Sequence, residues 1–208
     1  MLQIKCFTFG PFETNCYVVS DEHHVLLIDP ACSNAYEQQL LVNYIQPLTA
    51  NRSPLTIIAT HGHLDHLWGA KWATETWHTP VLMHEADIPM AKAMQAQYNL
   101  FGIRATAESF PIEPLADNLS PFALIPTPGH TPGSVCLYFP HSLNPNSITP
   151  SILFSGDTLF QMGYGRTDLP GGNMGQLIDS LERLFELPSD VVVYPGHGDS
   201  TTIGAEKR

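Results

Sequence analysis

Positive charge is scarce in this sequence. Nine Lys and Arg stand against 20 Asp and Glu in 208 residues, a formal net charge of −11. A field of that sign repels a phosphate backbone, which excludes non-specific nucleic-acid binding. Charged residues of both signs make up only 14% while hydrophobic ones make up 43%, a balance foreign to disordered and coiled-coil chains. Long apolar runs are also missing, and no stretch approaches the ~18 residues of a membrane span. The opening MLQIKCFTFGPFETN is interrupted by Gly10-Pro11 and Glu13 before it reaches the length of a signal peptide. Cysteine is sparse, and Cys6, Cys16, Cys32 and Cys136 show no CxxC spacing. They read as reduced, mostly buried thiols of a cytoplasmic protein. No Walker A, GxSxG or HExxH sequence occurs, and Gly163-Tyr164-Gly165 fails as a dinucleotide fingerprint because Asp168 stands where the third glycine belongs.

Histidine is abundant by comparison: ten residues, more than Lys and Arg together, a first pointer to metal chemistry. The length fits one domain at about 150 residues per domain. LQIKCFTF, NCYVVS and VLLID read as strands, and a helix follows from Asn34, with Glu37 completing a capping box. Tyr36, Leu40, Leu41, Tyr44, Ile45 and Leu48 recur at helical spacing, with Pro47 and Pro54 closing the segment. LTIIA (55–59) reads as a short buried strand leading into the helical stretch HLWGAKWATETW. Val81–Met83 is expected as a strand and 85–100 as one helix. Residues 105–121, rich in proline and acid, and HSLNPNSITP (141–150) read as loops. FALIP (122–126), SVCLYFP (134–140), SILFSG (151–156) and VVVYP (191–195) are further strands. Asn173 and Gln176 cap a last helix that turns Leu177, Ile178, Leu181, Leu184 and Phe185 to the core before Pro188 stops it.

The chemistry concentrates at strand ends. In Thr60-His61-Gly62-His63-Leu64-Asp65-His66, extended residues two apart point the same way, so His61 and His63 can present two imidazoles to one ion. Gly62 lets the backbone run close to a crowded site, and Asp65 and His66 project from the first turn of the following helix. Imidazole nitrogen and carboxylate oxygen are good zinc ligands, and imidazole also suits iron. Downstream, Gly129-His130, Gly156-Asp157 and Gly196-His197-Gly198 each set a ligand-type side chain beside glycine at the end of a buried strand. Singly, such a His is a structural residue and such an Asp a turn former. Together with the 61–66 cluster they point to a metal centre.

HGHLDH, GH at 129–130, GD at 156–157 and GHG at 196–198, in that order, resemble the metallo-β-lactamase superfamily of hydrolases. Asp29-Pro30 and VVVYPGHG match it too, so the likeness covers almost the whole chain. The resemblance implies an α+β fold, a four-layer αββα sandwich of two mixed β-sheets flanked by helices, as a single metallo-β-lactamase-like domain over 1–208. It also implies a two-metal site at one edge of the sheets. GHTPGS (129–134) and SGDTLFQMGYGRTDLPGG (155–172) resemble its glyoxalase II-like branch, the hydroxyacylglutathione hydrolases. Carried over by position, His61, His63 and His130 would hold one metal and Asp65, His66 and His197 the other, with Asp157 bridging them. Two zinc ions are the expected cofactors, with iron or manganese the other cations for such a set.

Two departures qualify the likeness. No C-terminal helical glutathione-binding domain is expected, and Asp168 stands where the branch has a tyrosine after its basic residue, here Arg166. The Gly165-Arg166-Thr167-Asp168 form resembles short single-domain glyoxalase II-like proteins and the persulfide dioxygenases, which use one iron. The expected function is hydrolysis of a thioester or related small ester through a metal-bridging hydroxide, with Asp65 and Asp157 as catalytic carboxylates. The alternatives are a mononuclear iron persulfide dioxygenase and a non-catalytic metal-binding protein. The expected partner is a small-molecule substrate, with neither nucleic acid nor membrane. Arg166 reads as a contact for a substrate carboxylate or as an internal salt bridge. Tyr164 either lines the pocket or faces solvent. Asp29 orients a metal ligand or caps the turn at Pro30, and Thr131 bonds within the site or shapes its turn with Ser134.

Overall fold

The computed structural model describes residues 2–50, 55–116, 121–140 and 150–207. The chain forms two compact units, Met1–Leu115 and Ala116–Arg208.

In the first unit the strands β1 (Gln3–Phe9), β2 (Thr14–Ser20), β3 (Val25–Ile28), β4 (Thr56–Ile58), β5 (Val81–Met83) and β6 (Ile112–Pro114) lie side by side in sequence order. β1–β2–β3 is an antiparallel meander, and from β3 onward every pairing is parallel. β6 falls within 105–121, where a loop was expected. Its backbone N–H and C=O groups pair with β5 despite Pro111 and Pro114, because an edge strand tolerates proline.

Helix α1 (Ala35–Thr49) starts as its sequence predicts, the Asn34 side chain accepting from the Glu37 N–H. The Glu37 carboxylate reaches back to the Ser33 N–H, one residue earlier than a capping box requires. The helix continues through Pro47, which removes one bond near its end without stopping it. Leu41 and Ile45 are buried whereas Tyr36, expected on that face, is 73% exposed, since it sits in the first turn beyond the sheet's cover.

Helix α2 (Ala70–Trp77) begins later than expected, and residues 64–69 form successive turns instead of its first turn. The expected helix over 85–100 is a 3₁₀ turn (Glu85–Asp87) followed by α3 (Ile88–Lys92) and α4 (Met94–Leu100), broken at Ala93. Trp68, Trp72 and Trp77 pack against the core of this unit.

The second unit holds β7 (Ala123–Pro126), β8 (Val135–Phe139), β9 (Ile152–Gly156), the hairpin β10 (Leu159–Phe160) and β11 (Gly163–Tyr164), α5 (Met174–Phe185), β12 (Val192–Pro195), β13 (Thr201–Thr202) and α6 (Ile203–Glu206). Its five-stranded sheet runs β13-β12-β9-β8-β7, with β9 and β12 parallel and the other pairs antiparallel. Asn173 caps α5 by accepting from the Gln176 N–H, and Leu177, Leu181 and Leu184 are buried. Ile178 is 49% exposed, on the helix flank rather than in the core. The loop expected at 141–150 lies, except for Pro150, outside the described residues, as does Pro54.

All four cysteines are free thiols; Cys6 is exposed and the other three are buried. Desolvation raises Cys16 well above the ordinary range, Cys32 to about 12 and Cys136 to about 11. Iodoacetamide at pH 8 is therefore expected to label one thiol in the native protein and four after unfolding in urea. Rapid labelling of a second native thiol, read by mass spectrometry, would contradict this packing.

Candidate functional site

Parallel strands deliver their C-terminal ends to one side of a sheet, and loops leaving those ends carry side chains that bind ligands. In the first unit β3 ends at Ile28 and β4 at Ile58, and the pairing continues through the Asp29 N–H to the Ile58 carbonyl (2.8 Å). Asp29, with a left-handed backbone (φ 53°), folds its carboxylate back over the start of the next loop. Its Oδ1 accepts the Thr60 N–H (2.7 Å), while Oδ2 accepts the Thr60 hydroxyl (2.8 Å) and the His66 Nδ1–H (2.9 Å). The Thr60 hydroxyl has one proton and gives it to Asp29, so at 3.1 Å it accepts from the His61 Nδ1–H. Both imidazoles thus carry their proton on Nδ1 and present Nε2 as a lone pair, the state a metal ligand needs.

The rest of the unit's set gathers around them. The ring centroids of His61 lie 4.8 Å from His63 and 4.1 Å from His66. Asp65 Oδ2 is 3.5 Å from His66 Nε2 and accepts the Thr14 hydroxyl at 2.8 Å, which ties the loop to β2. His61, His63 and His66 are buried. The four residues singled out in HGHLDH therefore form one cluster, and Asp29 bonds its members as well as its own turn.

In the second unit the parallel pair is β9 and β12, and Gly196 N–H donates to the Gly156 carbonyl (2.8 Å) just beyond it. That register sets Asp157 beside His197, whose Nε2 is 3.5 Å from Asp157 Oδ2. His130 arrives from the turn between β7 and β8, and its Nε2 is 3.5 Å from the same oxygen. Its Nδ1–H donates to the Arg166 carbonyl at 2.6 Å, so Nε2 again carries the lone pair. A lone pair facing a carboxylate oxygen is repulsive unless a cation lies between them; the donor set of this unit fits a divalent ion.

Gly165 makes that contact possible. A Cβ there would overlap the Asp157 carbonyl oxygen and come 3.0 Å from His130 Nδ1, so only glycine lets the Arg166 carbonyl approach the imidazole. Thr131 and Ser134, both buried, bond each other through their hydroxyls (2.7 Å) and close the turn that holds His130.

The Arg166 side chain instead forks onto Asp168, Nε to Oδ1 at 2.6 Å and Nη2 to Oδ2 at 2.7 Å, with both groups exposed. That hydrogen bonding holds the Asp168 carboxyl down to about 2, so the pair persists as pH falls until Asp168 protonates near that value. Tyr164 is 54% exposed on β11. Sequence reasoning missed Thr14, Thr60 and Gly165. Threonine in or just past a strand and glycine in a loop give no local signal, because the threonines' partners lie 51 and 31 positions away and the role of the glycine is a close backbone approach.

Each unit thus holds imidazoles beside carboxylates at its strand ends, with the Nδ1–H of His61, His66 and His130 bonded to an oxygen, the donor chemistry of metal centres in hydrolases. Residues 9–197 match the model of the metallo-beta-lactamase superfamily, and the chain belongs to this superfamily of metallo-hydrolases. It is 34% identical to the probable metallo-hydrolase YqgX of Bacillus subtilis (strain 168), over 95% of this chain and 91% of the relative. It is 32% identical to the hydroxyacylglutathione hydrolase GloC of Haemophilus influenzae, over 100% of this chain and 96% of the relative. Among solved structures, TTHA1623 in a di-iron-bound form superposes with a TM-score of 0.82 at 34% identity, covering 98% of this chain and 97% of that one. Mixed sheets and flanking helices accord with the metallo-β-lactamase fold, as expected from the motifs. Among the described residues no helix is long and apolar enough to cross a membrane.

Proposed function

We propose that this protein is a metal-dependent hydrolase of small thioesters, of the hydroxyacylglutathione or a related class, in which the two units act together as one metallo-β-lactamase-like domain. His61, His63, Asp65, His66, His130, Asp157 and His197 are its ligands, and two zinc ions, or iron or manganese, its cofactors. The observation that carries this reading is the shared tautomer of His61, His66 and His130: each Nδ1–H is committed to a fixed acceptor, which leaves each Nε2 able to coordinate. Full-length similarity to GloC supports the thioester class, and four free thiols accord with a cytoplasmic setting.

When bound, divalent ions supply water with a pKa lowered from about 15.7 toward 7 and a Lewis acid for the substrate carbonyl. The chain's own residues supply the rest. Asp157 contributes the anionic charge that allows two cations to lie close together. Asp29 and Thr60 keep the imidazoles of His61 and His66 oriented through each cycle. Asp65, fixed by Thr14, would take the proton released by the attacking water and pass it to the departing thiolate. A thiolate (thiol pKa about 8.5) needs little such help, which favours a thioester over an amide for this residue set.

Metal quantification on freshly purified protein, paired with an S-lactoylglutathione assay and an oxygen electrode, tests the reading. Two divalent ions per chain and thioester loss without oxygen uptake are expected. One iron per chain with oxygen consumed in the presence of glutathione persulfide would replace it with the dioxygenase. Full metal occupancy without turnover on thioesters or lactones would leave a metal-binding protein.

A further inference from the structure

The main chain of the HGHLDH loop is held by two side chains from the elements that follow β5, Asp87 and Gln97. Gly62 N–H donates to Asp87 Oδ2 at 2.8 Å, and Asp87 is fully buried in the 3₁₀ turn after β5. On α4, the Gln97 amide spans the peptide on both sides of His63: its Nε2 donates to the Gly62 carbonyl (2.9 Å) and its Oε1 accepts the Leu64 N–H (2.9 Å). The same Nε2 also donates to the Met90 carbonyl (3.2 Å), which ties the amide to α3. A Cβ at residue 62 would sit 3.0 Å from the Asp87 carbonyl oxygen and 3.3 Å from its Cβ, so the loop is seated closely against this helical layer.

Three loop groups, the Gly62 N–H, the Gly62 carbonyl and the Leu64 N–H, are therefore satisfied by side chains rather than by a strand. Pairing across residue 63 fixes its φ and ψ, and with them the direction in which the His63 side chain leaves the backbone. His61 and His66 have the Asp29–Thr60 relay to orient their rings. At His63 the Gln97 amide holds the main chain on both sides of the residue.

We propose that Gln97, seated by α3 and assisted by Asp87, is a positioning residue that presets His63 for metal binding, so that ligand geometry is established before an ion arrives. This rests on the reading of His63 as a metal ligand. A Gln97→Met variant keeps length and loses every hydrogen bond; Gln97→Glu keeps an acceptor for Leu64 N–H and loses donation to Gly62 and Met90.

Zinc affinity measured against a chromophoric chelator is expected to fall about ten- to a hundredfold for one ion in both variants, the size usual for residues that orient a ligand. The second ion should be held as in the wild type. A purely structural role would lower the unfolding temperature of the metal-free protein and leave the zinc affinity of the folded protein unchanged; that result overturns the proposal. Should Gln97→Met fail to fold, Gln97→Glu decides the matter by the same measurement. His63→Ala separates the two readings. If it loses one zinc while both Gln97 variants keep two at full affinity, only the clamp is wrong. If it too keeps both ions at full affinity, the ligand assignment itself fails.

Discussion

Replacing Asp157 by alanine is expected to lower kcat/KM for thioester hydrolysis by about a thousandfold or more, since losing several kcal/mol of metal-centred stabilisation costs a factor of ten per 1.36 kcal/mol. Asp157 lies within 3.5 Å of both His130 and His197 through one carboxylate oxygen. In the proposed centre it is the one residue whose charge serves both ions. Its side chain is mostly buried but hangs from the end of β9 rather than filling the core, so the circular dichroism of the metal-free variant should match the wild type. Asp157→Asn separates charge from shape: it keeps the volume and loses the anion, and should bind fewer than two ions. Wild-type turnover in either variant, measured at saturating zinc, would remove Asp157 from the chemistry.

Asp29→Ala should damage the fold and the site together. The carboxylate receives three bonds, from the Thr60 N–H, the Thr60 hydroxyl and His66 Nδ1, in a place that is 1% exposed. Each buried donor left without its acceptor costs about 1–3 kcal/mol, so even the low end for three is about 3 kcal/mol. For a protein of this size that lowers the thermal midpoint by roughly 6–12 °C. Alanine must also adopt the left-handed backbone of residue 29, where asparagine is tolerated. Asp29→Asn should therefore recover part of the loss, while its amide N–H₂ still faces a donor on one side. In both variants, zinc affinity should fall about ten- to a hundredfold because the His66 tautomer is no longer fixed. An unchanged midpoint in Asp29→Ala, read by calorimetry on metal-free protein, would show that this network does not stabilise the native state.

The legible parts of this protein were those written in short-range pattern. Asn34 and Asn173 announce their helices because the cap bond spans three residues. VLLI reads as a strand because a continuous apolar run must be covered on both faces, and it is buried throughout. The HGHLDH loop was visible because four ligand-type residues fall within six positions. Where expectation failed, the deciding partner was remote. β6 is a strand because β5 offers it an edge to pair with, and nothing in its proline- and acid-rich sequence says so. Asp87 and Gln97, on either side of the break at Ala93, both bond the loop main chain, and partners 25 and 33 positions away are not written in local helix propensity.

The sequence by itself determined the class of chemistry. Imidazole and carboxylate side chains, gathered at strand ends with glycine beside them, form a donor set suited to divalent ions. Tertiary structure decided which ring nitrogen His61, His66 and His130 turn to their hydrogen-bond acceptors, that the Asp29 carboxylate bonds His66 and Thr60, and that Arg166 spends its side chain on Asp168 and its carbonyl on His130. The physical reason is that a tautomer and a hydrogen-bond direction belong to a pair of groups, and the second member of each pair comes from whatever strand, turn or helix the fold places alongside.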